Sequence, residues 1–374
     1  LFFVALPLLF WNEGRAVTTA LSLEEGLGAV VTVAADKVDP ANENKLVHMS
    51  ASTKVEGTLS DDEFGVSAPA VRLRRSVEMF QWQEEKKSEE KKKLGGGTET
   101  VTTYNYKKVW SSVAIDSGSF KKSSEHQNPG SIPYSSKSFE ASQVQLGAFT
   151  LSPSLVGKIS NWTPVDPASK PATGEAVSGT TASGTTTAPM FPGGLKAVNG
   201  KLYSASADPS NPKIGDIKIS FEAVLPSTIS IIAQQTGQTF RPYQTKAGDS
   251  LEMLDNGNRS AQEMFASAQS ANTMMTWGLR IFGFLLMYIG ISMIFNPLVV
   301  LADVIPFFGN LMGAGVGMLS FFLAAPLSLT MIAIGWIAYR PVLGIALLVF
   351  AVAIFVGGFM MMRGKKPAAA PLQA

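Results

Sequence analysis

The sequence predicts an α+β membrane protein: a β-rich lumenal or extracytoplasmic domain with short flanking helices, joined to a four-helix transmembrane module whose first span is truncated in this chain. Three observations predict it. Charge is withdrawn from the last part of the chain: of 31 Lys and Arg only Arg280, Arg340, Arg363, Lys365 and Lys366 follow Thr273, and of 29 Asp and Glu only Asp303 does. That same part holds three long apolar runs, and about 20 mostly apolar residues suffice to cross a bilayer. Ahead of it, segments alternate apolar and polar residues with the period of two that a half-buried strand requires. The 374 residues leave room for one sizeable soluble domain beside the membrane module. The upstream part carries 26 basic and 28 acidic residues, so it offers no basic face for nucleic acid. Cysteine is absent, which excludes disulfides and thiolate chemistry.

Residues 1–11 (LFFVALPLLFW) read as the end of a first membrane helix. Trp11-Asn12-Glu13 does not resemble the small-residue cleavage site of a signal peptide. The domain is expected over residues 12–273. Ser22-Leu23-Glu24-Glu25 has capping-box spacing and predicts the start of a short helix. Residues 70–79 alternate, with Val71, Leu73, Val77 and Met79 on one face, and predict a strand. The charged run at 84–93 and the glycines at 95–97 are expected to be the water-facing tip of a long hairpin, whose return strand is the β-branched and aromatic stretch 98–110. Residues 170–194 hold too few large apolar side chains to build core and read as a flexible insertion. Beyond it, Asn199-Gly200 suits a type I′ turn, Ile217, Ile219 and Phe221 alternate, and residues 227–233 are β-branched. NKLVHMSAS, from Asn44, and GKLYSASAD, from Gly200, are similar enough to suggest a repeated strand unit. Ser260-Ala261-Gln262-Glu263 repeats the capping-box spacing and predicts a helix running directly from the domain into the second span.

The membrane module is expected to comprise a second span at 275–295, a third at 311–339 and a fourth at 341–362, followed by a cytoplasmic tail at 363–374. Pro326 falls inside the third span, where a membrane helix tolerates it. Residues 297–308 are apolar, bounded by prolines and too short to span, so they read as interfacial or re-entrant, with Asp303 turned to water. Trp11, Trp277, Trp336 and Tyr339 fall at helix ends facing the domain, as an aromatic belt does. Arg363, Lys365 and Lys366 fall on the opposite side, which the positive-inside rule makes cytoplasmic. Arg280, about one turn inside the second span, is expected to snorkel to the same interface as the tryptophans. Gly309, Gly313 and Gly317 recur every four residues and form a candidate helix-packing or oligomerisation stripe, which could equally pack the last two spans against each other.

No catalytic machinery is legible. His48 and His126 lack metal-ligand spacing, and a strand histidine reads as a hydrogen-bonded structural residue. Asp61-Asp62-Glu63 lacks the alternating ligands and fixed glycine of a calcium loop and reads as a solvated turn. There is no nucleophile elbow, P-loop or dinucleotide fingerprint. No catalytic, cofactor-binding or metal residue is assigned, and the expected function is not enzymatic.

The blocks WNEGRAVTTALSLEEGL, NENKLVHMSA, FGVSAPAVRLRRSVEMFQW, IGDIKISF and PLSLTMIAIGWIAYRP, in this order along nearly the whole chain, resemble the transmembrane protein 43 (LUMA) family. The resemblance implies four spans with a large lumenal domain between the first and second. It also implies residence in the endoplasmic reticulum and inner nuclear membrane, or in the cell membrane of a bacterial member, together with self-association and a scaffolding role with emerin- and lamin-type partners. The expected function is thus a self-associating membrane organiser whose partners are lipids, further copies of itself and envelope proteins. The alternatives are a channel or transporter subunit, and a lipid or envelope-stress sensor acting through residues 297–308 and the helix continuous with the second span.

Overall fold

The computed structural model describes residues 1–92, 98–169, 191–204, 207–302 and 306–337, and within the last apolar run residues 342, 345–346, 349–350 and 352–357. Its described helices are α1 (Phe2–Ala29), α2 (Pro153–Lys158), α3 (Ala261–Ala302) and α4 (Pro306–Ile337). Between α1 and α3 the chain is mainly strand, so the α+β class holds.

Two seven-stranded sheets organise the domain. In the first, Leu46–Val55 and Thr228–Thr236 pair antiparallel at the centre, with His48 opposite Ile232. In the second, Ile217–Val224 pairs with Arg72–Lys92, with Ile219 opposite Val77. Only a short link separates Val224 from Thr228, so consecutive strands pass from one sheet to the other, and Val71, Val224 and Ile229 share one buried cluster with Phe149 and α2 residues Leu155 and Val156. The period of two is obeyed: Val71, Leu73, Val77 and Met79 are all buried, as are Ile217, Ile219 and Phe221. Asn199 and Gly200 have φ of 51° and 72° and join strands whose Val198 and Lys201 are paired. Both central residues thus take the positive φ that a type I′ hairpin demands.

The hairpin is longer than its composition suggests. The charged run is strand rather than loop: Arg72–Lys92 pairs with Thr98–Ser111 continuously from Met79 opposite Ser111 to Lys92 opposite Thr98. Charged side chains do not forbid a strand that water reaches on both faces, and Glu85 and Lys107 pair across it. The two similar phrases do not occupy equivalent places. The first forms the ten-residue central strand of one sheet, while the second forms the three-residue strand Lys201–Tyr203 in the other.

The helices differ most from expectation. No short helix starts at Ser22; α1 runs unbroken from Phe2 to Ala29. Ser22 is buried in mid-helix, where its hydroxyl lies 2.8 Å from Thr245 Oγ1 and accepts from the Asp249 amide at 3.3 Å. Its hydrogen bonds hold the helix to the domain instead of capping a terminus. The second capping box is present as expected: Glu263 accepts from the Ser260 amide at 2.8 Å, and Ser260 Oγ accepts from the Glu263 amide at 3.3 Å. From that cap α3 extends 42 residues, through Pro297 to Ala302, so residues 297–302 continue the helix. Asp303 lies outside the described residues.

Among the described residues two helical segments are long and apolar enough to cross a membrane, Ala261–Pro297 and Gly313–Ile337. The expected four-helix module is therefore not seen as four spans; half of residues 341–362 and all of the tail 363–374 fall outside the described residues. Most of the expected insertion does too, at 170–190. Phe191, within the expected 170–194 boundary, is buried against the second sheet with Leu195 and Leu202, so core packing resumes there.

Candidate functional site

The place where α1, α3 and α4 meet combines the polar and apolar chemistry of the membrane part. Helices α1 and α3 run antiparallel over the whole length of α1. Glycines make the close approach possible. A Cβ added at Gly290 would lie 2.4 Å from the backbone of Phe2, one at Gly283 2.6 Å from Leu9, and one at Gly335 in α4 2.7 Å from Glu13. Leu9, Met287, Ile291, Ala324 and Ile332 fill the space between the three helices.

Within this apolar setting Glu13 is completely buried. A lone carboxylate there would be costly, because a low-dielectric interior does not solvate charge. Arg280 answers it with a planar fork: Nε reaches Oε1 and Nη2 reaches Oε2, each at 2.7 Å. Trp336 Nε1 donates to Oε2 as well. The guanidinium is flanked by Trp277 at 4.9 Å and Trp336 at 5.5 Å from the ring centroids, which adds cation–π attraction. Arg280 thus has a partner that the sequence reading did not assign to it. It pairs with Glu13, because α1 brings a carboxylate within hydrogen-bond reach.

One turn nearer the domain a second polar layer completes the junction. Asn12 is buried and donates to the Thr276 carbonyl at 3.2 Å. Arg15 donates to Asn272 Oδ1 at 3.0 Å and to Thr276 Oγ1 at 3.1 Å, and Asn272 donates back to the Ala16 carbonyl at 3.0 Å. Together these bonds tie α1 to α3 at two levels, and since both helices enter the domain, they fix how the domain stands on the bundle.

Of the expected interface residues, Trp277, Arg280 and Trp336 are brought together, and Trp11, half-exposed, sits two residues from Glu13 on α1. Tyr339 lies outside the described residues. Of the glycine stripe, Gly309 falls in the first turn of α4 with its surroundings outside the described residues. Gly317 approaches the Tyr288 hydroxyl of α3, 3.3 Å from where a Cβ would stand. Glu13, Asn12, Arg15 and Asn272 were missed by the sequence reading. The signal for the first was present: Glu13 and Arg280 are opposite charges next to apolar runs, and such residues usually seek each other.

The domain holds a second buried ion pair. Arg75 occupies the inward face of its strand, in phase with Val71 and Val77, and its Nη1 contacts Asp61 at 3.0 and 2.9 Å and Glu63 at 2.7 Å. Its Nε donates to the Ser135 carbonyl at 2.9 Å and it stacks over Phe64. Asp61 is thus not part of a solvated turn, although Asp62 and Glu63 are. Burial pushes the Asp61 carboxyl above its ordinary value, and the Arg75 guanidinium only partly opposes that. His48 is structural, 2.8 Å from the Arg259 carbonyl and 3.2 Å from Thr32 Oγ1, while His126 stacks on Tyr106.

A family model described as Transmembrane protein 43 matches residues 79–341. The chain is 35% identical over 352 residues to Transmembrane protein 43 of Mus musculus, covering 91% of this chain and 83% of that protein. It is 33% identical over 369 residues to that of Homo sapiens, covering 94% and 87%. It is 28% identical over 365 residues to the Transmembrane protein 43 homolog of Drosophila melanogaster, covering 93% and 89%. No solved structure matches the chain.

Proposed function

Because the chain belongs to the transmembrane protein 43 family and is an integral membrane protein, we propose that it is a non-enzymatic, multi-pass scaffold that holds a folded lumenal domain at a fixed attitude to the bilayer. One observation carries this reading: α3 is a single helix from its cap at Ser260 through the apolar segment to Ala302, and α1 is locked along it by the Glu13–Arg280 fork and the Asn12–Arg15–Asn272 layer. Such a coupling transmits position, which an organiser needs and an enzyme domain on a flexible tether does not. Four spans, with the last apolar run returning to the cytoplasm, complete the module. Residence in the endoplasmic reticulum and inner nuclear membrane, self-association through Gly309, Gly313 and Gly317, and emerin- and lamin-type partners belong to the same proposal and rest on the family.

The self-association part is tested with the full chain in nanodiscs or liposomes. Gly313→Leu should abolish the crosslinked oligomer while the domain keeps its protease resistance, since close backbone contact drives helix association in lipid. Gly315, which has nothing within 4 Å, supplies the positional control, and Gly315→Leu should leave the oligomer intact. Oligomer unaffected by Gly313→Leu would remove the stripe from the proposal. Ion flux through wild-type liposomes, abolished by Arg280→Leu, would replace the scaffold with a channel. The closed Glu13–Arg280 fork speaks against that outcome.

A further inference from the structure

We propose that the junction between α3 and α4 binds one membrane phospholipid, with an acyl chain held in an apolar cleft and its glycerol–phosphate region at Arg280. The inference goes beyond the scaffold reading and rests only on the bundle lying in a bilayer.

Two adjoining cavities share Trp277, Arg280 and Trp336 as a common wall. The one towards the domain, about 340 Å³, is lined on α3 by Gln269, Asn272, Thr273 and Thr276 and on α1 by Ala16, Val17 and Ala20. The one towards the bilayer interior, about 510 Å³, is lined by Ile281, Phe284, Leu329 and Ile332, among others. Along α3 the crevice thus passes from hydrogen-bonding groups, through a cation between two indoles, to hydrocarbon. That is the order of chemistry along a phospholipid from headgroup to tail, and the volumes suit a ligand-sized molecule.

Three further features select this occupant. Arg280 spends Nε and Nη2 on Glu13, while its Nη1 has no hydrogen-bond partner among the described residues. A donor at the edge of hydrocarbon needs an acceptor, and phosphate or ester oxygens are what a bilayer supplies at that depth. Glu13 neutralises Arg280, but Arg15, one turn away, meets only Asn12, Asn272 and Thr276 among the described residues, so the junction keeps one positive charge that a phosphate group answers. Finally, the last apolar run does not fill the cleft where it is described. Val352 and Phe355 line a different cavity with Pro326, Leu327 and Thr330, and these lie roughly half a turn around α4 from Leu329, Ile332 and Trp336.

The test uses the full chain in phosphatidylcholine nanodiscs doped with phosphatidylcholine carrying a diazirine on its acyl chain. After irradiation, adducts should concentrate on Ile281, Phe284 and Leu329, in excess over Met293 and Ile294, which are exposed on α3 beyond the cleft. Ala325→Trp, which fills the cleft, should erase the excess and leave the Met293 and Ile294 adducts. Leu329→Trp should do the same, and intact protease resistance of the domain shows that either variant has folded. Equal labelling of both sites in the wild type means annular lipid only and overturns the proposal, whatever the variants do. Cleft labelling that persists in both folded variants also overturns it. So does displacement of the cleft adducts by a sterol, or their replacement by protein–protein crosslinks in the same segment, since these assign the cleft to a sterol or to a second copy.

Discussion

At the scale of single residues the buried charges decide most. Arg75 stands on the core side of a strand whose other inward residues are apolar, and it is tolerable only because Asp61 and Glu63 meet it. Removing one partner strands the other charge in the core. Asp61→Ala should therefore cost on the order of 3–5 kcal/mol of stability, read from the shift in denaturant midpoint by tryptophan fluorescence. Glu63, about half-exposed, should cost less than about 1 kcal/mol on the same change. Glu252 gives a pH signature of the opposite sign to a desolvated acid. Burial raises its pKa, but hydrogen bonds from Lys158, Ser154 and Ser152 and the Lys158 charge outweigh burial and hold it below the ordinary glutamate value of 4.5. The folded state thus favours the carboxylate, so this contribution to stability is complete above 4.5 and is lost as pH falls through the lower folded value. Acidification below 4.5 should lower the melting temperature of the wild type more steeply than that of Glu252→Gln; parallel curves would show that the α2 clamp does not titrate in this range.

At the scale of elements, helix contacts are set by where side chains are missing. Gly335 is a notch for Glu13, and a methyl there would force α4 off α1. Overpacking of this kind costs about 1–3 kcal/mol, so Gly335→Ala should lower the melting temperature in detergent. Gly315→Ala should leave it unchanged or raise it slightly, because the position is open and alanine favours helix over glycine. Equal effects at both positions would mean that the notch is not a tight contact. The elements themselves were unevenly legible. Alternation at residues 71–79 and 217–221, the turn at Asn199-Gly200 and the cap at Ser260 are local rules, and each element formed as those rules require. Ser22 satisfied the same capping rule and was recruited by Thr245 and Asp249 instead, since a side chain with a tertiary partner need not cap.

At the scale of the whole molecule the two ends of the domain converge on one bundle. Helix α1 enters the domain and α3 leaves it, antiparallel and bonded at two levels, so the domain cannot rotate about either connection alone. The orientation across the bilayer is testable because the chain has no cysteine. Lys87→Cys, near the hairpin tip, should resist a membrane-impermeant maleimide in sealed vesicles with the cytoplasmic face outward, whereas Arg363→Cys should react. Labelling at Lys87→Cys without permeabilisation would invert the assignment.

The amino-acid sequence by itself determined the division into a strand-rich domain and an apolar module, the faces of the principal strands and the helical passage from Ser260 into the membrane. It also carried the family resemblance. These follow from composition, period and local hydrogen bonding, which act over a few residues and need no partner. Only the tertiary structure decided that Glu13 and Arg280, 267 residues apart, form one buried fork, that Asp61 leaves its turn to neutralise Arg75, and that Gly283, Gly290 and Gly335 are the notches of the bundle. Each depends on which surfaces meet after the chain folds back on itself, because a charge inside apolar surroundings is affordable only where a counter-charge from a distant segment arrives at hydrogen-bond distance.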